Sequence, residues 1–130
     1  MRSPRVPFAG LTVAALVAAC ASAPARRATE GEKVCIDPRD INSIRALDDR
    51  HAFVKVRAGH FHLLTVDETC RGMALARSIG IVEATTRVCG DGFSFLAFEE
   101  PTVGSMRCRI ERIEPVADRN AAEELIRSRE

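Results

Sequence analysis

Four cysteines, Cys35, Cys70, Cys89 and Cys108, limit the folds open to this chain more than any other feature. They are even in number and widely spaced. No C-x-x-C pair occurs, so a thioredoxin-like redox site is not expected, and no spacing fits a zinc knuckle. In an exported chain such a set reads as two disulfides, for which three connectivities are possible. A bridge closing a loop of about 20 residues contributes roughly 3 kcal/mol through the unfolded state. That matters for a domain of about 95 residues, whose single core is only just sufficient. We expect Cys70–Cys89, which would tie the segment after a hairpin to the "CGDG" turn. We also expect Cys35–Cys108, which would join the first segment to the last strand.

Export is written into residues 1–19, "MRSPRVPFAG LTVAALVAA". Arg2 and Arg5 precede an uncharged stretch from Phe8 to Ala19, the length of a signal-peptide core and too short to cross about 30 Å of hydrocarbon. Val17-Ala18-Ala19-Cys20 resembles the lipobox of bacterial lipoproteins. That resemblance implies cleavage before Cys20, lipidation of its thiol and a membrane anchor. Ala21 rather than Asp follows Cys20, which by analogy directs the protein to the outer membrane, facing the periplasm. The alternative is secretory cleavage at "ASA", residues 21–23, giving a soluble periplasmic protein.

Cleavage before Cys20 takes two arginines from the 19 basic residues and nothing from the 18 acidic ones, leaving a formal charge of −1. No net field favours nucleic acid. The chain has no Trp and no Tyr, so the aromatic platforms usual at sugar and single-strand sites are missing. Phe53, Phe61, Phe93, Phe95 and Phe98 fall in strand-like runs and are expected in the core.

Residues 20–33 read as the lipidated cysteine and a flexible tether, and residues 34–130 as one α+β domain. In "CIDPRDINSIRAL", Asp37 is a good N-cap, Pro38 suits N1, and Ile36 and Ile41 stand at staple positions. Ile41, Ile44 and Leu47 follow at helical spacing, predicting a helix over 38–47. "HAFVKVRAGHFHLLTV" predicts a hairpin about Ala58-Gly59, with Val56 opposite Phe61 and Val54 opposite Leu63. Lys55, Arg57, His60 and His62 would then share a cationic outer face. "DETCRGMALARS" predicts one or two helical turns carrying Cys70. "IGIVEATTRV" and "FSFLAFE" predict strands joined through "CGDG", whose Asp91-Gly92 suits a type I′ turn. "MRCRIERIEPV" predicts a strand with Arg107, Arg109 and Glu111 outward, and Asp118 caps a last helix. The expected architecture is about five antiparallel strands, in a meander or small barrel, with short helices at both ends.

The leader, "CI" at 35, Cys70, "VCGDG" at 88–92 and "CRIERI" at 108 together resemble a family of small proteobacterial exported proteins, a domain of unknown function. The resemblance implies a compact disulfide-containing envelope domain and no reaction.

Candidate chemistry is sparse. His60-x-His62 could place two imidazoles on one strand face, but Lys55 and Arg57 share that face and repel a cation, so no metal is expected. The cationic face could meet an anionic lipid. Ser94, Thr102 and Ser105 lack a nucleophile setting, Glu99-Glu100 is a loop-edge charge pair, and Asp91 has a turn role that suffices. We therefore expect no catalytic residue and no cofactor. The expected protein is a non-enzymatic binding or structural accessory of the envelope, with the membrane and another envelope protein as partners. A small metal-handling protein or periplasmic enzyme is the alternative.

Overall fold

A computed structural model describes residues 33–68, 70–82 and 86–130. The leader, Cys20 and the tether up to residue 32 lie outside the described residues.

Asp37 and Pro38 start a turn as expected. The Asp37 carboxylate accepts from the Arg39 N–H at 2.9 Å, and a single 3-10 turn, Pro38–Asp40, follows. The predicted helix stops there. Strand β2, Ile41–Ala46, runs on in its place. The helical spacing had another cause. A bulge between Ile41 and Ser43 inserts one residue, so Ile41, Ile44 and Ala46 all face inward against Val56, Val54 and Ala52. An inward spacing of three is what a bulged strand shares with a helix.

Preceding β2 is β1, Cys35–Ile36. After it come β3, His51–Val56; β4, Phe61–Val66; β5, Ile79–Val82; β6, Val88–Cys89; β7, Phe95–Glu100; β8, Gly104–Val116; and α1, Arg119–Arg127. Six strands form one antiparallel sheet in the order β2-β3-β4-β8-β7-β5, while β1 and β6 pair separately. The edges β2 and β5 approach without a ladder, so the sheet is a nearly closed barrel. This is the expected α+β class, with six strands in the sheet and only the C-terminal helix formed.

The hairpin β3–β4 slips by one residue from the predicted pairing. Its turn takes Arg57–Gly59, with Ala58 at φ 60° and Gly59 at φ 73°. Val54 then faces His62, and Phe53 faces Leu63. A one-residue slip reverses every side chain. Val54, Val56, Leu64 and Val66 line the interior, whereas Phe61 and Leu63 point outward. Leu63 can do so because α1 covers it, and Phe61 stacks on Phe53 beside it. Asp118 caps that helix by accepting from the Ala121 N–H at 2.8 Å. Ala122 and Ile126 then pack on Leu63, with Leu47, Phe53, Val116 and Leu125 around them. Leu63 and Leu64 are both fully buried, one on each face of the sheet.

Both bridges form, with partners other than those expected: Cys35–Cys89 and Cys70–Cys108, at Cα–Cα distances of 4.3 and 5.5 Å. Cys35 and Cys89 are register partners in the β1–β6 ribbon. Cys70 and Cys108 are buried in the core. The helical turn expected to carry Cys70 forms one step later, at Met73–Leu75. β5 and β7 pair as predicted, but β6 departs between them to meet β1, so "CGDG" does not close that hairpin. Nor is the turn type I′, since Gly92 is at φ +81° and Asp91 is not in the positive region. Gly90 is needed for a different reason: a Cβ there would lie 2.6 Å from the Ile113 backbone nitrogen.

Candidate functional site

The hairpin slip takes the two candidate metal ligands off the outer face expected for them. His60 is exposed in the turn, and His62 faces the inner side opposite Val54. His62 Nδ1 is buried with no hydrogen-bond partner among the described residues. Burial, with the neighbouring His60 adding to it, holds the His62 pKa below the ordinary imidazole value. The cationic face expected from Lys55, Arg57, His60 and His62 does not exist as one surface. Arg57 turns instead to Asp40 at 3.3 Å. Among the described residues no group of three His, Cys, Asp or Glu side chains could hold a metal ion.

A cleft of about 590 Å³ opens between the β2–β3 turn, the β8 bulge and the end of α1. The turn carries Asp48, whose Oδ1 accepts from the N–H groups of Arg50 and His51 at 2.6 and 2.8 Å. His51 Nδ1 lies 2.8 Å from Asp48 Oδ2. Asp49 Oδ1 accepts from the N–H groups of Gly72 and Ala74, both at 3.1 Å. Arg129 reaches back from the helix end to Glu114 with two contacts of 2.7 and 2.6 Å, which holds the Glu114 carboxyl below its usual range. Thr65 Oγ1 and Arg50 Nε are buried beside this cluster without hydrogen-bond partners among the described residues. The arrangement fastens a turn, a bulge and a helix end together. Its aspartates already accept two or three hydrogen bonds each, which leaves them poorly placed to take a proton from a substrate. The sequence signal for this cluster was "DDR" between two apolar runs, a turn-forming stretch in which an Asp side chain folds onto the following N–H groups.

The outer face of the barrel divides at β8. Over β3, β4 and residues 112–116 it lies under α1. Over β5, β7 and residues 104–109 no element of the described chain covers it. Its outward residues are Gly80 beside Ala97 beside Arg107, Val82 beside Phe95 beside Arg109, and Glu99 beside Ser105. The Arg107 guanidinium sits 5.6 Å from the Phe95 ring centroid. Phe98 is core as predicted, but Phe95 is half-buried on this face and Phe93, at 80 % exposed, stands clear of the fold. The turn holding Phe93 is built by its neighbours: Asp91 Oδ1 accepts from the Phe93 N–H at 3.1 Å, and the Gly92 N–H donates to the Ile110 carbonyl at 3.0 Å. The Arg109 side chain packs against Gly92.

Two site expectations rest on cysteine. Cys20 lies outside the described residues. Cys35, Cys70, Cys89 and Cys108 are all engaged in bridges, and disulfides of this kind belong to oxidising, non-cytoplasmic compartments. No helix among the described residues is long and apolar enough to cross a membrane.

A family model described as a family of unknown function (DUF6491) matches residues 3–130, and the chain belongs to that family. No curated protein and no solved structure matches it.

Proposed function

We propose that this member of a family of unknown function is a lipid-anchored protein of the proteobacterial outer membrane, facing the periplasm, with a binding or structural role and no catalytic one. The observation that carries the reading is the Cys35–Cys89 bridge. Cys35 is the second cysteine of the chain and stands fifteen residues after Cys20. Any pull along a tether from a lipidated Cys20 therefore reaches the barrel through a covalent crosslink to β6, not only through the two register pairs of the β1–β6 ribbon. The lipobox-like "VAAC" at 17–20 and the oxidising compartment implied by the bridges support the same reading. Anchoring by several acyl chains is stable because each buried CH₂ contributes about 0.8 kcal/mol. The non-catalytic role is supported by the aspartates of the polar cleft, which hold main-chain N–H groups.

The deciding experiment is detergent partitioning of protein from the envelope. The wild type should enter the detergent phase and the Cys20→Ala variant should remain aqueous. A water-soluble wild type beginning at Ser22 or Pro24 would overturn the anchor. A metal-handling role is the second reading, and metal analysis of the purified protein separates it. Stoichiometric zinc or copper lost on His60→Ala would replace the non-catalytic proposal.

A further inference from the structure

One wall of the polar cleft is a row of register partners. His51 on β3 lies opposite Thr65 on β4, and Thr65 lies opposite Arg112 on β8. The row faces outward, because its chain neighbours Ala52, Leu64 and Ile113 are core. The bulge of β8 falls at this row. Thr65 pairs with Arg112 and Val66 with Ile110, so Glu111 is the extra residue. Ile110 and Ile113 stay buried, while Glu111 and Arg112 are both exposed. A regular strand would turn one of those two inward. The bulge instead sets a carboxylate and a guanidinium side by side at the cleft.

Thr65 Oγ1 and Arg50 Nε are buried in this cleft without hydrogen-bond partners among the described residues. Arg50 as a whole is engaged. Its terminal nitrogens lie 3.4 Å from Glu68 and 3.8 Å from Glu111, longer than a well-made charged hydrogen bond. Both contacts pass Nε by. Arg112 has Glu114 two residues along β8, but Arg129 already holds both carboxylate oxygens of Glu114 at 2.7 and 2.6 Å. A buried donor left without an acceptor carries its full desolvation cost. An Nε–H can only donate, so whatever completes it must bring an acceptor oxygen.

The acids of the cleft narrow the choice. Asp48 and Asp49 accept from main-chain N–H groups, and Asp48 also fixes the His51 ring through Nδ1 at 2.8 Å. Their charge remains, and Glu111 and Glu130 line the same space. A plain anion would meet all four carboxylates. A plain cation would leave Arg50 Nε and the Thr65 hydroxyl unpaired. A molecule carrying both signs answers both. The volume of about 590 Å³ suits a small molecule, and Ile126 adds an apolar patch. We infer that the cleft binds a small zwitterion, a free amino acid or a short peptide. Its carboxylate meets Arg50 Nε, the Thr65 hydroxyl and Arg112, and its ammonium meets Glu111 and Glu130. The inference gives the binding role proposed above a ligand class, and rests on that role and not on the anchor.

The mature protein from the envelope is titrated by calorimetry with L-leucine, tri-leucine, N-acetyl-L-leucine and L-leucinamide. The first two carry both charges. The acetylated acid lacks the ammonium, and the amide lacks the carboxylate. A zwitterion should bind at least about tenfold tighter than either single-charge analogue, the worth of one unmade charged hydrogen bond. The tighter of leucine and tri-leucine names the source, free amino acid or peptide. Thr65→Val should weaken binding about tenfold without lowering the melting temperature of the ligand-free protein, because the lost hydroxyl bonds nothing. Thr65→Ser should keep the affinity. Glu111→Gln should weaken the zwitterion and spare N-acetyl-L-leucine. Glu111 is exposed, so this variant decides the matter even if Thr65→Val does not fold. Equal binding of N-acetyl-L-leucine or of L-leucinamide overturns the zwitterion. Binding by none of the probes, or an affinity unmoved by both Thr65→Val and Glu111→Gln, overturns the site. Each of these results leaves the anchor to be read separately by detergent partitioning.

Discussion

The two halves of the barrel's outer face are built from one continuous strand, β8, yet they are held in opposite ways. In the half under α1, outward positions carry Phe53, Phe61, Leu63 and Val116, and Phe53 stacks on Phe61 with centroids 5.3 Å apart. In the bare half the corresponding positions are Gly80, Ala97, Phe95 and two arginines. The bare half is secured from beneath, where Cys108 on the inner side of β8 is bridged to Cys70. The covered half is secured from above, by apolar contact with the helix and by Arg129 on Glu114. The switch between them occurs at the bulge of β8, where the register shifts between Thr65 and Val66 and inward positions pass from Ile110 to Ile113. A sheet face that must bury a helix needs bulk in register. A face left open needs to be flat and charged.

The largest effect should come from cutting the fastening under the bare half. Cys70→Ala/Cys108→Ala removes a bridge across a sequence separation of 38 residues. By chain entropy that is worth about 4 kcal/mol. Its sulfurs are also buried, so mild reductant should open half-exposed Cys35–Cys89 first. Non-reducing peptide mapping along a reductant series checks both the pairing and the order. Recovery of the Cys70–Cys108 peptides as free thiols before those of Cys35–Cys89 would show that the bare half is not the more tightly held from below.

Next in size is the contrast between Leu63 and Phe95, one outward residue from each half. Leu63→Ala opens a cavity beneath α1 and should cost about 2–5 kcal/mol. Phe95→Ala, half-exposed on the bare face, should cost less than half as much. Denaturant midpoints for the two variants decide it. Equal losses would mean that something packs on the bare half as firmly as α1 packs on the other.

How much of this was legible in the sequence follows from the same contrast. The cap at Asp118, the β5–β7 pairing, the presence of two bridges and the inward set Cys108 and Ile110 could all be read, because each depends on local chemistry or simple alternation. The helix over 38–47 could not be excluded, because the bulge after Ile41 gives a strand the inward spacing of a helix. The hairpin register failed because alternation assumes one apolar face, and β4 has two. The adjacent pair Leu63-Leu64 was the available sign, since neighbouring fully buried residues require cover on both faces. The bare face was missed because Phe93 and Phe95 look like core residues in a strand-like run. Only the pairing of β7 shows that Leu96 and Phe98 are the inward pair.

Acid should separate the inner side of the barrel from the covered half in two windows. Burial lowers the pKa of His62 below its ordinary 6.5, so the unfolded chain binds a proton before the folded one. Stability is complete above pH 6.5, declines as pH falls below it, and levels once His62 is protonated in the folded protein. Arg129 lowers the pKa of Glu114 below its ordinary 4.5. That contribution is complete above pH 4.5 and is lost as pH falls through the folded value. His62→Leu should abolish the first decline and leave the second. Arg129→Ala should shrink the second, which Asp37, held down to about 2 by Arg39, also feeds, and cost about 0.5–1 kcal/mol at neutral pH, the range of a partly exposed ion pair. Melting temperatures across pH check both, and a single decline unaffected by either variant would refute the assignment.

The smallest expected effect is the sharpest probe of the open face. Gly80 sits in β5 opposite Ala97, and a Cβ added there meets nothing within 4 Å. Its backbone is not in the positive-φ region, so alanine suffers no strain there. Glycine in a strand loses about 0.5–1 kcal/mol relative to alanine through the freedom of the unfolded chain. Gly80→Ala should therefore stabilise the protein by roughly that amount in denaturant titration. Gly90→Ala, the comparison, should destabilise it, because its Cβ would lie 2.6 Å from the Ile113 nitrogen. Should Gly80→Ala destabilise the protein as well, the middle of the β5–β7–β8 face must be in close contact with something in solution. The sign of that one substitution thus reports whether the face is open.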